Sequence, residues 1–301
     1  SSDVCSSDLG GDPVLAEIIR EARPKQWLKN VLVFAAPAAL GDLSLSLVMK
    51  SAVVFVAFCL TASGTYYWND IEDVEADRRH PKKRHRPIAS GAVPLGVARV
   101  VGTILLLGGP VTAYLVRPEA GGVVGLYAVL TIGYSTAWKH VPVVDLAIVA
   151  SGFVLRAMAG AAGTDTHMSK WFVLCTTFGS FFIVTGKRFA ELKELGVDAT
   201  TTRKSLAAYT LPYLRQLLVV SCTATVFSYC LWAFENGERT VGGVPWHGLS
   251  IVPMVLALFR YLLVLENGGG EAPEEVFTKD RALQVYGVAW VIVYGLGVYS
   301  G

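Results

Sequence analysis

The chain is dominated by apolar runs of bilayer length, separated by short charged stretches. A helix needs about 20 mostly apolar residues to cross the hydrocarbon layer. Nine stretches meet that need: 28–47, 50–68, 94–115, 120–137, 142–162, 170–186, 211–234, 248–265 and 281–299. In lipid every backbone N–H and C=O must be satisfied internally, so open runs of this kind are helical. The expectation is an all-α, polytopic membrane protein. Composition agrees, with 53% hydrophobic residues, only 17% charged and a mean hydropathy of +0.48, where soluble domains carry about 25% charge. A net charge of +2 gives no footing for nucleic-acid binding.

The basic residues set an orientation. With nine spans, the N-terminus and the even-numbered loops share a side. That side holds Arg20, Arg23, Lys25 and Lys29, the run Arg78 to Arg86, Lys139, then Lys187, Arg188, Lys193, Arg203 and Lys204, and finally Arg260, Lys279 and Arg281. The other side holds Lys50, Arg117, Lys170 and Arg239. The positive-inside rule places the first side in the cytoplasm, in a plasma (inner) membrane. Ser1 to Gly11 has no initiator Met and no organisation, and reads as a non-native leader within an N-terminal segment 1–22. Residues 23–301 read as one transmembrane domain, with no cleavable signal peptide. Cys59, Cys175, Cys222 and Cys230 lie in apolar stretches without metal-ligand spacing and read as packing residues.

The strongest local signal ends the second run: Asn69-Asp70-Ile71-Glu72-Asp73-Val74-Glu75-Ala76-Asp77. Asn69, Asp73 and Asp77 fall at i, i+4 and i+8, and Asp70 and Asp77 are seven apart, so on a helix they share a face. Carboxylates crowded on one face repel unless a cation sits among them. Hard oxygen ligands suit Mg²⁺, usually held by one or two carboxylates plus substrate phosphates. A merely solvated acidic helix end is the bland alternative, but acids at a helix C-terminus oppose the macrodipole. Basic residues follow at once, from Arg78 to Arg86 and Pro87. Carboxylates for a metal beside guanidinium groups for phosphate oxygens are the parts of a metal–diphosphate site. Anchoring on anionic lipid is the bland reading of the same run. Arg84 and Arg86 are the better candidates for ligand contact.

Asn69 to Asp77, followed by Lys83-Arg84-His85-Arg86-Pro87-Ile88-Ala89-Ser90-Gly91, resembles the signature of the UbiA superfamily of intramembrane prenyltransferases. Arg23-Pro24-Lys25-Gln26-Trp27-Leu28-Lys29-Asn30 resembles that superfamily's first-helix entry. The resemblance implies a nine-helix bundle around a central cavity facing the cytoplasm, with Mg²⁺ bridging the acidic motif to a diphosphate. Ordinary members carry a second D-x-x-x-D motif after the sixth helix. Here that place reads Gly186-Lys187-Arg188-Phe189-Ala190-Glu191-Leu192, with two cations in place of carboxylates. A bare anion such as a phosphate monoester then fits better than a second metal. Interface anchoring is the bland alternative for Lys187 and Arg188.

Phosphoribosyl diphosphate carries a diphosphate at one end and a monophosphate at the other. The chain resembles the branch of the superfamily that uses it, the decaprenyl-phosphate 5-phosphoribosyltransferases of cell-wall arabinan synthesis. Arg203-Lys204-Ser205-Leu206 with Tyr209, Leu231 to Glu235, Arg260-Tyr261 and Asp280-Arg281 match as well. The resemblance implies transfer of 5-phosphoribosyl to a polyprenyl phosphate. Asn69, Asp70, Asp73 and Asp77 would hold Mg²⁺, and Lys25, Lys29, Asn30, Arg84 and Arg86 the diphosphate. Lys187, Arg188 and Arg260 would take the 5-phosphate, with Glu191 beside them, and Tyr134, Lys139 and Tyr209 the cavity mouth. It allows a homo-oligomer. Asp145 and Arg156 lie about 16 Å apart along one helix and cannot pair with each other. Two rival readings are a prenyltransferase with an aromatic acceptor and a lipid or phosphate transporter. The missing second acidic motif counts against the first. Charge gathered in loops rather than at the bilayer midplane counts against the second.

Overall fold

The computed structural model describes residues 13–39, 41, 44–195, 204–236, 243–270 and 273–299. Arg203 and Arg239 lie outside them. Among the described residues the protein is all-helical, without a β-strand. Helix α1 is Pro13–Glu21, followed by a 3-10 segment, Pro24–Phe34, and a short α2, Ala35–Ala39. Then come α3 (Leu45–Glu72), α4 (Val74–Arg79), α5 (Pro87–Ser90), α6 (Leu95–Val116) and α7 (Pro118–Thr136). The chain continues with α8 (Val144–Thr164), α9 (Lys170–Leu195) and α10 (Leu211–Glu235). It closes with α11 (Trp246–Glu266), α12 (Pro273–Lys279) and α13 (Arg281–Tyr299).

Among the described residues six helices are long and apolar enough to cross a membrane: α3, α6, α8, α10, α11 and α13. Helices α7 and α9 are also long, at 19 and 26 residues. Gly, Ser and Thr dilute the first, and charge gathers in the second from Lys187 to Glu194. The expected span 28–47 is not one helix. Its described residues fall in the 3-10 segment, in α2 and in the start of α3, with Gly41 and Ser44 outside any helix. Eleven residues at the 3-10 rise cover about 22 Å, where an α-helix of equal length covers about 16 Å. Pro24 opens this segment and Pro37 lies within α2, each lacking the N–H that a helix continuous with the residues before it would use. Gly160 of α8 accommodates the close approach: a Cβ there would lie 1.8 Å from the Val33 carbonyl oxygen.

The chain forms two compact units, 1–31 with 53–132 and 32–52 with 133–301. In the first, α3 and α6 pack backbone to backbone. A Cβ on Gly64 would meet the Leu106 nitrogen at 2.4 Å, and one on Gly109 would meet Thr61 Oγ1 at 1.9 Å. Small residues let helices approach this closely in lipid, where no hydrophobic force drives them together. The opposite face of α6 carries Val100, Ile104, Leu107 and Val111, all exposed at helical spacing. A continuous apolar stripe facing outward is what lipid demands and water penalises. In the second unit α9 packs on α8 and α10, and α11 packs on α10 and α13. Its core holds Phe182, Phe189, Leu214, Leu218, Tyr261 and Leu265.

Candidate active site

In the first unit, α3 runs unbroken to Glu72, and Asp73 is a single hinge residue before α4. The helical hydrogen bonds continue through it: Asp73 N donates to Asn69 O at 3.0 Å and Asp77 N to Asp73 O at 2.8 Å. The seven-residue spacing therefore survives, and Asp70 and Asp77 face the same side, both buried. Asp73 is half-buried, while Glu72 and Glu75 point outward.

A guanidinium group reaches these carboxylates from the following loop. Arg86 precedes Pro87, and a residue before proline is pushed out of the helical region. Arg86 accordingly takes φ −66°, ψ 146°, ending the 3-10 turn Lys83–His85 and starting α5. Its Nη1 donates to Asp70 Oδ1 at 3.0 Å and to Asp77 Oδ2 at 2.6 Å, so one nitrogen lies between the two acids. Lys83 Nζ stands 3.9 Å from Asp77 Oδ1. Arg23 Nη2 donates to Asp70 Oδ2 from the other direction, and its guanidinium lies over the Tyr66 ring at 4.8 Å. Arg23 holds φ +53°, a left-handed conformation that costs a non-glycine residue about 1–2 kcal/mol. The turn it makes brings α1 back against α3.

That return places Glu21 in the site. Tyr67 donates to the Ile18 carbonyl at 2.7 Å and Ser63 to the Ala22 carbonyl at 2.9 Å, which ties the end of α1 to α3. Glu21 is 1% exposed, no arginine, lysine or backbone donor reaches either carboxyl oxygen, and its hydrogen-bonding neighbour is the Asp70 carboxyl. Burial first, and then the adjacent Asp70 carboxyl, push its pKa up to about 8. Arg20, Glu21, Arg23, Asp70, Lys82, His85 and Arg86 line an open pocket of about 210 Å³.

The expected residues of this unit are only partly gathered. Asp70, Asp77 and Arg86 meet directly. Asn69 presents a buried Oδ1 without a donor. Lys25 and Lys29 are exposed, and Asn30 is buried and donates to Cys59 Sγ at 3.2 Å. Arg84 points to His85 at 3.3 Å on the exposed side. Glu21 and Arg23 were not singled out from sequence. Arg23 heads the entry stretch Arg23 to Asn30 and could have been found there, while nothing local marks Glu21.

In the second unit a separate polar cluster forms. Arg188 Nη1 donates to Glu191 Oε2 at 2.8 Å, and its Nε lies 3.6 Å from Asp145 Oδ2. Tyr209 donates to Asp145 Oδ1 at 2.5 Å and accepts from Val143 N at 2.6 Å. Burial and the hydrogen bond to Asp145 push the Tyr209 hydroxyl pKa up, which keeps it a donor. Arg260 is instead engaged by Asp280, with contacts of 2.8 and 3.2 Å. Lys187 is exposed, and Tyr134 and Lys139 are half-buried. Arg156 donates to the Gly152 carbonyl at 2.6 Å, within its own helix.

Among the described residues no three His, Cys, Asp or Glu side chains converge as a ready-made metal cage. The donor set around Asp70 still fits a hard cation shared with a ligand. Asn69 Oδ1 and both Glu21 oxygens are buried acceptors without donors, and all are hard oxygen ligands.

The comparisons with known proteins agree on one family. The UbiA prenyltransferase family matches residues 30–278. The chain is 42% identical to a decaprenyl-phosphate phosphoribosyltransferase of Corynebacterium glutamicum, covering 94% of this chain and 86% of the relative. It is 40% identical to the protein of that description from Mycobacterium tuberculosis, covering 96% of each. Among solved structures, a UbiA homolog from Archaeoglobus fulgidus bound to GPP and Mg²⁺ superposes with a TM-score of 0.69. That match has 16% identity and covers 95% of this chain and all of the other. A structure from work on digeranylgeranylglyceryl phosphate synthase superposes at 0.70, with 17% identity over 95% and 99% of the two chains.

Proposed function

We propose, for a chain that belongs to the UbiA prenyltransferase family, that it transfers the 5-phosphoribosyl group of phosphoribosyl diphosphate to decaprenyl phosphate. The carrying observation is the near full-length similarity, at about 40% identity, to relatives described as decaprenyl-phosphate phosphoribosyltransferases. The acid–base cluster of the first unit supports it. Buried Asp70 and the partly exposed guanidinium groups of Arg23 and Arg86 line one open pocket, and Arg86 also reaches buried Asp77.

In this reading the bond from the anomeric carbon to the diphosphate breaks, and a bond from that carbon to an oxygen of the lipid phosphate forms. The acceptor is already an anion and needs no general base. Arg23 and Arg86 donate to the diphosphate oxygens, as bidentate guanidinium groups do. Asn69, Asp70, Asp73 and Asp77 are the residues that would hold Mg²⁺. When bound, the ion neutralises the charge that develops on the leaving diphosphate. Lys25, Lys29 and Arg84, exposed around the same unit, are proposed as further donors. In the second unit the sequence offers Lys187, Arg188 and Arg260 for a phosphate; Arg188 is sealed against Asp145 and Glu191 and Arg260 is paired with Asp280, which leaves Lys187 as the exposed donor. Positioning and electrostatics, rather than proton transfer, then supply the rate. The lipid-facing stripes keep the polyprenyl chain in the bilayer, with the N-terminus and the pocket proposed to face the cytoplasm.

A transfer assay tests this reading. Purified protein in detergent receives radiolabelled phosphoribosyl diphosphate and decaprenyl phosphate, with Mg²⁺ or with EDTA. Label is expected in the organic phase only with Mg²⁺. A folded preparation that makes no labelled lipid rejects this donor–acceptor pair.

A further inference from the structure

Glu21 is a costly residue to bury where it sits. It is 1% exposed, no cationic or backbone donor reaches either oxygen, and the group it hydrogen-bonds is another acid, Asp70. Burying a charge without a partner is expensive, and a buried acid is normally paired or bound to a metal. The nearby cations are engaged elsewhere. Arg20 turns outward to Glu17, at 3.4 Å from both of its oxygens, and Arg23 donates to Asp70. Arg86 is shared between Asp70 and Asp77.

The placement is not loose. Ser63 and Tyr67 fix the end of α1 from α3, and with Asp70 they fall at i, i+4 and i+7, one stripe of the same helix. The stripe that holds α1 therefore also presents Asp70 to Glu21. Asn69, one residue earlier, adds its own buried oxygen without a donor. Of Glu21 and Asn69, it is Glu21 that lines the pocket, together with Arg20, Arg23, Asp70 and Arg86.

We propose that Glu21 is a ligand of the divalent cation, supplied by α1 and absent from the N-D-x-x-D-x-x-x-D segment itself. The inference rests on the metal–diphosphate reading of this pocket. Mg²⁺ is commonly held by one or two carboxylates together with phosphate oxygens. Glu21 and Asp70 provide that pair from two different elements. A cation between them takes the place of the proton the two acids otherwise share, and satisfies the Glu21 oxygens that no cationic or backbone donor reaches. The entry of the chain into the membrane is thereby tied to occupancy of the site.

The test uses the full-length protein in detergent with Mn²⁺ as the probe, and free Mn²⁺ is read by electron paramagnetic resonance, with and without inorganic diphosphate. Glu21→Gln is expected to raise the Mn²⁺ Kd by about tenfold or more. Glu21→Asp, one methylene shorter, is expected to fall between. Thermal unfolding in EDTA and in Mn²⁺ provides the second readout. Glu21→Gln should unfold in EDTA at or above the wild-type temperature, because a buried acid has been neutralised, and should lose the stabilisation that Mn²⁺ gives. Wild-type Mn²⁺ affinity in both variants overturns the proposal and leaves the metal–diphosphate reading standing. An equal fall in unfolding temperature with and without Mn²⁺, at unchanged Kd, overturns it in favour of a packing role. Unchanged Kd with a raised KM for phosphoribosyl diphosphate overturns it in favour of an acceptor for sugar hydroxyls. If the wild-type protein binds no Mn²⁺ even with diphosphate, the underlying reading fails first.

Discussion

Each unit joins a buried aspartate to an arginine, but the two clusters differ in where water reaches. In the first unit the Asp70 side chain is 5% exposed while Arg23 and Arg86 are 30% and 29% exposed. In the second, Asp145 and Arg188 are at 0% and 4%. A half-exposed guanidinium group keeps donors for an arriving anion and pays little to turn toward it. A sealed one is held by its neighbours, and its loss leaves a bare carboxylate in a low-dielectric interior. The first cluster is suited to exchange partners and the second to keep them.

The largest expected effect tests the sealed pair. Arg188→Met leaves Asp145 buried beside no cation, and breaking a buried pair on one side costs about 3–5 kcal/mol. Thermal unfolding in detergent should show a large fall in stability. The double variant Asp145→Asn with Arg188→Met should recover most of it, since removing both charges is often neutral. Glu191 remains partly exposed and can turn to water. Failure of the double variant to recover would mean that Arg188 stabilises the fold through more than its charge pairing with Asp145, with Glu191 the first contact to examine.

Next in size is the open pair. Asp70→Asn removes the acid that Arg23 and Arg86 share, without emptying the space. Transfer of labelled phosphoribosyl at saturating Mg²⁺ should fall by about 10²–10³-fold, the usual cost of losing one electrostatic contact of a transition state. Unfolding temperature should move far less than in Arg188→Met. A large fall in stability with turnover intact would reverse the comparison.

The two clusters also differed in how much of them could be read beforehand. The first is mostly local. Asn69 to Asp77 is one helical stretch, so spacing alone put Asp70 and Asp77 on one face, and Pro87 fixed the backbone of Arg86. Glu21 escaped because it is 49 residues from Asp70 and sits in a short amphipathic helix that reads as surface. Only the turn at Arg23 and the bonds from Ser63 and Tyr67 bury it. The second cluster is non-local throughout. Asp145 had no partner within its own helix, and its real partners, Arg188 and Tyr209, come from α9 and the segment before α10. Among the spans, long apolar helices were legible because lipid enforces them. The 3-10 segment Pro24–Phe34 was not, since its apolar content matches a helix and only its packing selects the tighter turn.

A smaller effect tests how the sealed cluster is finished. Tyr209→Phe removes the donor to Asp145 Oδ1 and the acceptor for Val143 N. Val143 holds φ +69°, so this bond also secures a strained turn. Leaving such groups unsatisfied costs about 1–3 kcal/mol. Stability should drop by an amount in that range, below Arg188→Met, and the two variants should be non-additive because they share Asp145. Additive losses would separate Tyr209 from the cluster.

The smallest expected effect carries the comparison furthest, because it keeps the geometry and changes only the surroundings. Arg215 and Glu266 form a two-pronged ion pair in the second unit, at 2.8 and 3.0 Å. Its hydrogen bonds are better than the 3.6 Å approach of Arg188 Nε to Asp145. Judged by distance alone, it should matter more. The side chains are 55% and 42% exposed, however, and water and salt screen such a pair. Arg215→Ala should therefore shift the unfolding temperature only slightly, and raising the salt concentration should shrink even that. The Arg188→Met loss should be insensitive to salt. If Arg215→Ala proves as damaging as Arg188→Met, then contact geometry rather than burial sets the strength of these pairs. The half-exposed arginines of the first unit would then be too firmly held to change partners.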